Sequence, residues 1–427
     1  MNHTLKYGTT TLKLPLEQSR LLGVLDSSPG GSGRSQEEIV RCALANPIGS
    51  PRLGSMVKPG QRVCIVVSDI TRAWQKPSLY LPLLLEELKA AGVAEEDITF
   101  LCATGTHRGH TPQEREAILG PGLAGRFRFV DHDCRDAGSM VYLGTTTRGT
   151  RVELNRLAVE ADHVILTGAI VFHLLVGYGG GKKSVLPGIA SYQTIMQNHA
   201  MSLAPEGGSN PEARSGKVLG NPIHEDMLEA VAFLNPGFLL NVVMGPEGGI
   251  AGAVAGHWAQ AHEAGCRLVE RADAVTITQK AQMVVASAGG YPKDINLYQT
   301  IKTLINACEA AEPGGALIVL SQCSEGFGHP EVQEILQCYD TMEQREAALR
   351  ADYSIAKFVG YYAAEIASRH LLILVSELDP RLVQNAGMLV ASTVEEALRL
   401  AYAAKGTGLT TYLMPHGANT LPRMAAE

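Results

Sequence analysis

The chain has 427 residues, of which 45% are apolar and 19% charged; this composition is globular and excludes the disordered and collagen-like classes. Lysine and arginine number 36 against 43 acids, and the net charge of −7 argues against nucleic acid or a polybasic membrane surface as the main partner. No apolar run reaches the roughly 18–20 residues of a spanning helix, and the N-terminal MNHTLKYGTT lacks a signal-peptide core, so we expect a cytoplasmic protein.

Apolar strands alternate with amphipathic helices through the first 250 residues. We predict strands at Arg62–Ser68, Asp97–Ala103, Phe127–Val130, Ala161–Thr167 and Phe238–Met244. We predict helices at Pro77–Ala91 and Ser191–Gln197, and a third that opens with the capping box Thr111–Glu114. This order, with nearly continuous apolar strands, is typical of a buried parallel sheet.

A second series of strands begins near residue 272. We predict strands at Ala274–Thr278, Met283–Ser287, Ala316–Leu320 and Leu371–Val375, and a last helix opened by the capping box Ser392–Glu395. We therefore predict an α/β fold of two domains, residues 1–270 and 271–427, with largely parallel sheets and a cleft between them. The eight cysteines form no CxxC pair and indicate reduced, mostly buried thiols.

Polar clusters follow two of the predicted strands. Asp69-Ile-Thr-Arg72 follows the first strand and Thr104-Gly-Thr-His107-Arg108 the second, and ligands of open α/β sheets bind at such carboxyl ends. Arginine suits a carboxylate because it donates two parallel hydrogen bonds. Asp69 and Arg72 are equally consistent with an ion pair that closes a loop. The alternative for His107, Arg108 and the nearby His110 is that one of them only caps or satisfies backbone groups.

The segment from residue 171 to 184 combines a histidine, several glycines and two lysines. Its glycines expose backbone N–H groups in a way that suits a phosphate or another anion, although neither the GxxxxGK[ST] nor the GxGxxG spacing is met. The alternative is a flexible turn with solvated Lys182 and Lys183. His173 precedes the loop, and His199 lies beyond it, just after a predicted helix. Each histidine is a weak signal alone, but His107 and His173, at separate strand ends, can act as an acid/base pair.

The segment GGYPKDINLYQTIK (289–302) predicts a helix that starts near Asp294. Tyr298, Gln299 and Lys302 then share one face, close to a helix N-terminus that favours anions. The alternative is an amphipathic surface helix.

In their order and spacing, these motifs resemble the nickel-dependent lactate racemase family over roughly residues 10–415. DITR (69–72), ATGTHR (103–108), the segment 173–183, His199 and GGYPKDINLYQTIK carry the resemblance. It implies a racemase or epimerase of a 2-hydroxy acid that works by transient hydride transfer to a nickel-pincer nucleotide, pyridinium-3-thioamide-5-thiocarboxylic acid mononucleotide with nickel.

The resemblance also implies a role for each matched residue. The paired acid/bases are His107 and His173; the substrate ligands are Arg72, Gln299 and Lys302; the nickel ligand is His199; the covalent link is Lys183, with Lys182 as the adjacent alternative; and the remaining cofactor contacts are Asp69, Tyr298, Gly180 and Gly181. The implied partners are a small 2-hydroxy acid and the enzymes that mature the cofactor, with neither nucleic acid nor a membrane.

One departure from the family leaves the substrate open. Ala73 and Trp74 stand where many members have proline, so lactate and larger, aromatic, dicarboxylic or sugar acids are all candidates. Two other functions compete with the racemase. One is a zinc hydrolase that uses His107, His173 and His199, although HExxH is missing. The other is a non-catalytic nucleotide-binding protein of the same fold.

Overall fold

Two sets of parallel strands alternate with helices in the computed structural model, which describes residues 3–26, 33–245 and 248–425. The strands are β1 (His3–Tyr7), β2 (Thr10–Leu14), β3 (Arg20–Val24), β4 (Val63–Ser68), β5 (Ile98–Ala103), β6 (Arg128–Asp131), β7 (Met140–Thr145), β8 (Arg151–Asn155), β9 (His163–Ala169), β10 (Phe172–His173), β11 (Gly177–Tyr178), β12 (Phe238–Met244), β13 (Ile250–Gly256), β14 (Ala274–Ile277), β15 (Ala281–Ser287), β16 (Ala311–Leu320), β17 (Leu371–Val375), β18 (Leu389–Ala391), β19 (Thr410–Met414) and β20 (Leu421–Met424). The α-helices are α1 (Gln36–Ala45), α2 (Leu53–Met56), α3 (Pro77–Ala90), α4 (Pro112–Leu119), α5 (Arg156–Val159), α6 (Tyr192–His199), α7 (Pro222–Leu234), α8 (Trp258–Asp273), α9 (Leu297–Ala310), α10 (Pro330–Gln337), α11 (Met342–Ala351), α12 (Ile355–Arg369) and α13 (Val394–Lys405).

The chain divides into two compact units. One consists of residues 29–201 and 212–272; the other consists of residues 1–28, 202–211 and 273–427. The chain passes from the first of these units into the second between residues 272 and 273, close to the predicted boundary between residues 270 and 271. The predicted division assigned all of residues 1–270 to the first domain. In the structure, β3 pairs in parallel with β19 and so extends the C-terminal sheet.

The first unit is built on a six-stranded sheet in the order β13-β12-β9-β4-β5-β6. All neighbours are parallel except β12 and β13. The apolar sequence VCIVVS of β4 is explained by burial on both faces, since five of its six residues are buried. The helix α4 begins with the predicted capping box, in which Thr111 and Glu114 each accept the other's backbone N–H.

The second unit is built on a six-stranded sheet in the order β18-β17-β16-β15-β19-β3, and all its neighbours are parallel. The prediction of two α/β domains with largely parallel sheets is therefore confirmed. The predicted capping box at Ser392–Glu395 is wrong by one residue. Thr393 is the N-cap and accepts from the Glu396 N–H, while the Glu396 carboxylate accepts from the Ser392 N–H.

All eight cysteines are free thiols, and Cys64, Cys102, Cys134, Cys266 and Cys323 are buried, as predicted. Burial raises the pKa of the Cys64 thiol to about 12, which keeps it protonated. Within the described ranges, no helix is both long and apolar enough to cross a bilayer.

Candidate active site

Three neighbouring strands of the first sheet end side by side. β4 pairs with β5 up to Ser68 and Ala103, and β9 pairs with the other side of β4. Because parallel strands end at the same edge, the loops that follow them converge there. These loops carry three of the predicted site residues: Asp69, His107 and His173.

Asp69 and His107 form a hydrogen-bonded pair at this edge. His107 Nδ1–H donates to Asp69 Oδ2 over 2.6 Å, and Asp69 Oδ1 accepts from the backbone N–H of Thr71 at 2.8 Å and from its hydroxyl. Burial opposes ionisation of Asp69, but the hydrogen bonds from His107 and Thr71 and the electrostatic attraction of His107 and Arg72 keep the pKa of that carboxyl below its usual value. The pair fixes the His107 tautomer and leaves Nε2 as the proton-accepting nitrogen.

Arg72 lies one turn further along the 3₁₀ helix Ile70–Gln75, for which Asp69 is the N-cap. Its side chain is exposed, and its Nη1 donates to the Thr71 hydroxyl at 2.9 Å. The alternative, an Asp69–Arg72 ion pair that closes the loop, does not form. The Asp69 oxygens accept hydrogen bonds from Thr71 and His107 instead. The guanidinium therefore retains donors for an anion.

His110 and Asp131 form a second hydrogen-bonded pair, which contacts the backbone next to Asp69. His110 Nδ1–H donates to Asp131 Oδ1 at 2.6 Å, and His110 Nε2 accepts from the Ile70 N–H at 3.0 Å. With Cys102 these residues are the one group of His, Cys, Asp or Glu side chains in the described part of the chain that is close enough to hold an ion together. Sequence reasoning missed Asp131, whose only sequence signal is its place at the end of a strand, β6.

His173 and Lys183 form the third pair. His173 Nδ1 accepts from the backbone N–H groups of Leu175 and Val176, and its Nε2 lies 2.7 Å from Lys183 Nζ. The Lys183 amine is therefore held directly against an imidazole.

The glycine loop between them is packed rather than open. A Cβ at Gly180 would lie 2.7 Å from Asn241 Oδ1, and one at Gly181 would lie 2.4 Å from His262 Cδ2, so both positions need glycine. The expectation of exposed N–H donors is wrong for Gly179 and Gly181: the former donates to Val171 O and the latter to Asn241 Oδ1. The loop acts as rigid support for the residues that follow it.

The two adjacent lysines differ in burial, because Lys182 is buried and Lys183 is partly buried, so the alternative of two solvated lysines does not hold. Lys182 is buried and donates to Tyr178 O at 3.1 Å. Burial lowers the pKa of Lys182 to about 8. His224 and His262 lie close enough for the Lys182 charge to act on them; burial first, and that charge second, lower the pKa of each to about 3.

His199, the last residue of α6, is buried. Its Nδ1–H donates to Ile195 O at 3.0 Å, which leaves Nε2 unprotonated. Burial, and secondly the charge of Lys183, lower the pKa of His199 to about 3, so the ring stays neutral. A neutral imidazole whose tautomer is fixed by a carbonyl is the form in which histidine binds a metal.

Tyr298, Gln299 and Lys302 lie on α9 in the second unit. The helix begins at Leu297 after the N-cap Asn296, whose side chain accepts from the Gln299 N–H at 3.0 Å. Lys302 Nζ donates to Gln299 Oε1 at 2.7 Å, so the two side chains meet one turn apart.

The hydrolase alternative required His107, His173 and His199 to share one ion. None of these belongs to a group of three metal-ligating side chains within the described residues. The geometry therefore favours three separate roles.

Comparison with known proteins agrees with this architecture. The family model "Lactate racemase N-terminal domain" matches residues 7–210, and "Lactate racemase C-terminal domain" matches residues 276–421. Lactate racemase of Thermoanaerobacterium thermosaccharolyticum is 35% identical, with 99% of each chain covered. Lactate racemase of Lactiplantibacillus plantarum is 32% identical, with 98% of each covered. The solved lactate racemase apoprotein from the former organism superimposes with a TM-score of 0.90 at 34% identity, over 99% of this chain and 100% of that one.

Proposed function

Because the chain belongs to the lactate racemase family and is thus an isomerase, we propose that it interconverts the enantiomers of a 2-hydroxy acid, lactate being the first candidate. His107 and His173 are the acid/base residues. The observation that carries the proposal is the pairing of His107 Nδ1–H with Asp69 at the sheet edge that also holds His173. That pairing leaves a basic nitrogen available at the place where ligands of such sheets bind.

The chemistry of the substrate explains why a hydroxyl base is needed. The Cα–H of a 2-hydroxy acid is very weakly acidic, so direct removal of that proton has a prohibitive barrier. Loss of hydride from the same carbon leaves a stable 2-keto acid, provided that the hydroxyl proton leaves at the same time. The hydroxyl must then be deprotonated on either side of a planar keto acid, and two histidines meet that need.

His107 is suited to take the hydroxyl proton. The Asp69 carboxylate accepts from Nδ1–H, orients the ring and stabilises the imidazolium that forms when Nε2 takes a proton. His173 differs, because its Nδ1 accepts from backbone N–H groups and its Nε2 shares a hydrogen bond with the Lys183 amine; Nε2 is the nitrogen proposed to exchange the proton. Each histidine thus presents Nε2 as its reactive nitrogen.

The residues around the glycine loop fit the nickel-pincer nucleotide that the family resemblance implies. His199 would supply Nε2 to nickel, and Lys183 would supply the amine for the covalent link, because its amine is held at an imidazole whereas the Lys182 amine is buried against Tyr178 O. When bound, the nucleotide would supply a hydride acceptor. Asp69, Tyr298, Gly180 and Gly181 are the further proposed contacts, and maturation enzymes are the proposed partners.

The substrate carboxylate needs a fixed anchor so that only the carbonyl group changes its face. Arg72 is proposed for this role, since its exposed guanidinium can donate two parallel hydrogen bonds. Gln299 and Lys302 are proposed for the carbonyl side, where a cation and an amide donor stabilise developing negative charge.

The test is to load the protein with cofactor and to follow single enantiomers of several 2-hydroxy acids by chiral chromatography. His107→Gln and His173→Gln should each lower racemisation by about a hundredfold or more, while mass spectrometry still finds the adduct on Lys183. His329→Gln, on the exposed N-cap of α10, is the matched control and should retain activity. Full activity in both site variants, or an adduct that survives in Lys183→Ala, would overturn the assignment.

A further inference from the structure

The peptide group that joins Asp69 to Ile70 is held by a hydrogen bond to a buried histidine. His110 Nε2 accepts from the Ile70 N–H at 3.0 Å, and the His110 side chain is 1% exposed. A peptide group is planar, so a hydrogen bond to the Ile70 N–H fixes the orientation of the Asp69 carbonyl as well. The backbone from which the Asp69 side chain projects is thereby held in place.

Asp131 is the fixed end of this chain of hydrogen bonds. Its Oδ1 accepts from His110 Nδ1–H at 2.6 Å, and its Oδ2 accepts from the His110 backbone N–H at 3.1 Å and from Arg115 Nη2 at 2.8 Å. Burial opposes its ionisation, but the hydrogen bonds from His110 and Arg115 keep the pKa of the Asp131 carboxyl below its usual value. One carboxylate thus holds both the ring and the backbone of His110.

We propose that His110 is a positioning residue for catalysis. Asp131, His110 and the Ile70 N–H form a chain of hydrogen bonds, called the relay below, that holds Asp69 in position to bind His107. The proposal rests on the proposed function, since His107 is the acid/base there. It adds residues that no motif singled out. The second Asp–His pair does not touch the substrate; it orients the first.

Two members of this chain of hydrogen bonds, His110 and Asp131, lie close enough to Cys102 for the three side chains to suggest an ion site. The hydrogen bonds argue for the relay instead. His110 Nδ1–H donates a hydrogen bond to Asp131, and Nε2 already accepts from the Ile70 N–H. Burial raises the pKa of Cys102, so its thiol remains protonated and is a poor metal ligand.

The test compares His110→Phe with His110→Gln. Phenylalanine keeps the ring that packs edge-on against Phe129 but removes both hydrogen bonds. Glutamine keeps one donor and one acceptor at a similar separation. We expect His110→Phe to lower kcat about 10- to 100-fold with KM changed less than threefold, and His110→Gln to restore most of kcat. His163→Phe, at the start of β9, is the control for loss of a half-buried histidine and its hydrogen bond to Gln61.

A second readout is independent of cofactor and of activity. In the cofactor-free protein, the low-field imidazole N–H resonances in the proton NMR spectrum should include one that is removed by His107→Gln and another that is removed by His110→Gln. His110→Phe should also shift or broaden the His107 resonance, and Asp131→Asn should do the same without altering the ring. Asp131→Asn thus keeps the test sound should His110→Phe fail to fold.

The outcomes separate the two proposals. A His107 resonance unchanged in both His110→Phe and Asp131→Asn, or an unchanged kcat in His110→Phe, would overturn the relay. A resonance that responds as expected in a protein that racemises no 2-hydroxy acid would contradict the proposed function while supporting the positioning of His107 by His110.

Discussion

The two proposed acid/base residues lie in surroundings of opposite electrostatic character. In the His107 region (residues 69–72, 104–110 and 131), charges are paired: Asp69 with His107, and Asp131 with His110 and Arg115. In the His173 region (residues 172–184 with His199, His224 and His262), burial suppresses the charges of the lysine and histidines behind the loop. One sheet edge thus uses pairing to orient a base, while desolvation keeps the imidazoles neutral and lowers the pKa of the Lys182 amine.

The comparison predicts that catalysis by the His107 region depends on the Asp69 carboxylate. Asp69→Asn should lower kcat about 1000-fold, equivalent to about 4 kcal/mol of transition-state stabilisation, because an amide no longer fixes the His107 tautomer or stabilises its imidazolium. Racemisation kinetics on the loaded enzyme measure this. Asp162→Asn, which removes a carboxylate bound to the Arg62 N–H before β9, is the control. A loss of less than threefold in Asp69→Asn would mean that His107 acts without its partner.

The buried lysine should make stability rise in alkaline solution. The folded pKa of Lys182 is about 8 against an ordinary value of 10.5, so between these values the unfolded chain binds more protons and stability increases with pH. From pH 8 to about pH 10, the free energy of unfolding of the wild type should rise by about 2–3 kcal/mol relative to that of Lys182→Met. Urea unfolding at several pH values tests this, with the exposed Lys89→Met as control.

Parallel curves for the wild type and Lys182→Met would show that Lys182 keeps its charge in the fold. The contrast between paired and suppressed charges would then lose its strongest support, and Lys182 would again compete with Lys183 as the reactive amine.

A buried histidine should make stability fall in acid. The folded pKa of His262 is about 3 against an ordinary value of 6.5, so below pH 6.5 the unfolded chain takes up a proton that the folded chain does not. By about pH 5 the wild type should lose about 2 kcal/mol more stability than His262→Gln, which can still donate to Gly179 O. Acid titration of urea unfolding measures the difference, with the exposed His329→Gln as control; equal slopes for the wild type and His262→Gln would contradict neutral burial.

The amount that the sequence predicted differs between the two regions for a physical reason. Strand ends are visible as apolar runs that stop at polar residues, so Asp69, Arg72 and His107 could be assigned to one edge from local pattern. The contacts of Asp131 with His110, and of His262 with Gly179, join residues far apart in the chain, and burial is set by packing that no local pattern encodes. Lys182 and Lys183 are adjacent residues of the same type, yet the first is buried and the second only partly buried, for that reason.

The same limit applies to strands without a clear apolar run. The strand β3, with the sequence RLLGV, was not predicted, because its one partner in the sheet is β19, about 390 residues away in the chain. It has no buried residue among its five, so its alternation signal is weak. Topology, rather than propensity, decides where such an edge strand pairs.

The smallest expected effect concerns the side chain of the substrate. Trp74 is 47% exposed on the same 3₁₀ helix as Arg72, whereas Tyr178 is buried and its hydroxyl donates to Glu270 at 2.5 Å. An exposed ring beside the proposed carboxylate anchor is better placed to contact substrate than a buried one. Trp74→Ala should therefore change the ratio of kcat/KM for phenyllactate over lactate by less than about tenfold. Tyr178→Phe should leave that ratio unaltered, and a larger change there than in Trp74→Ala would assign substrate choice to the His173 region.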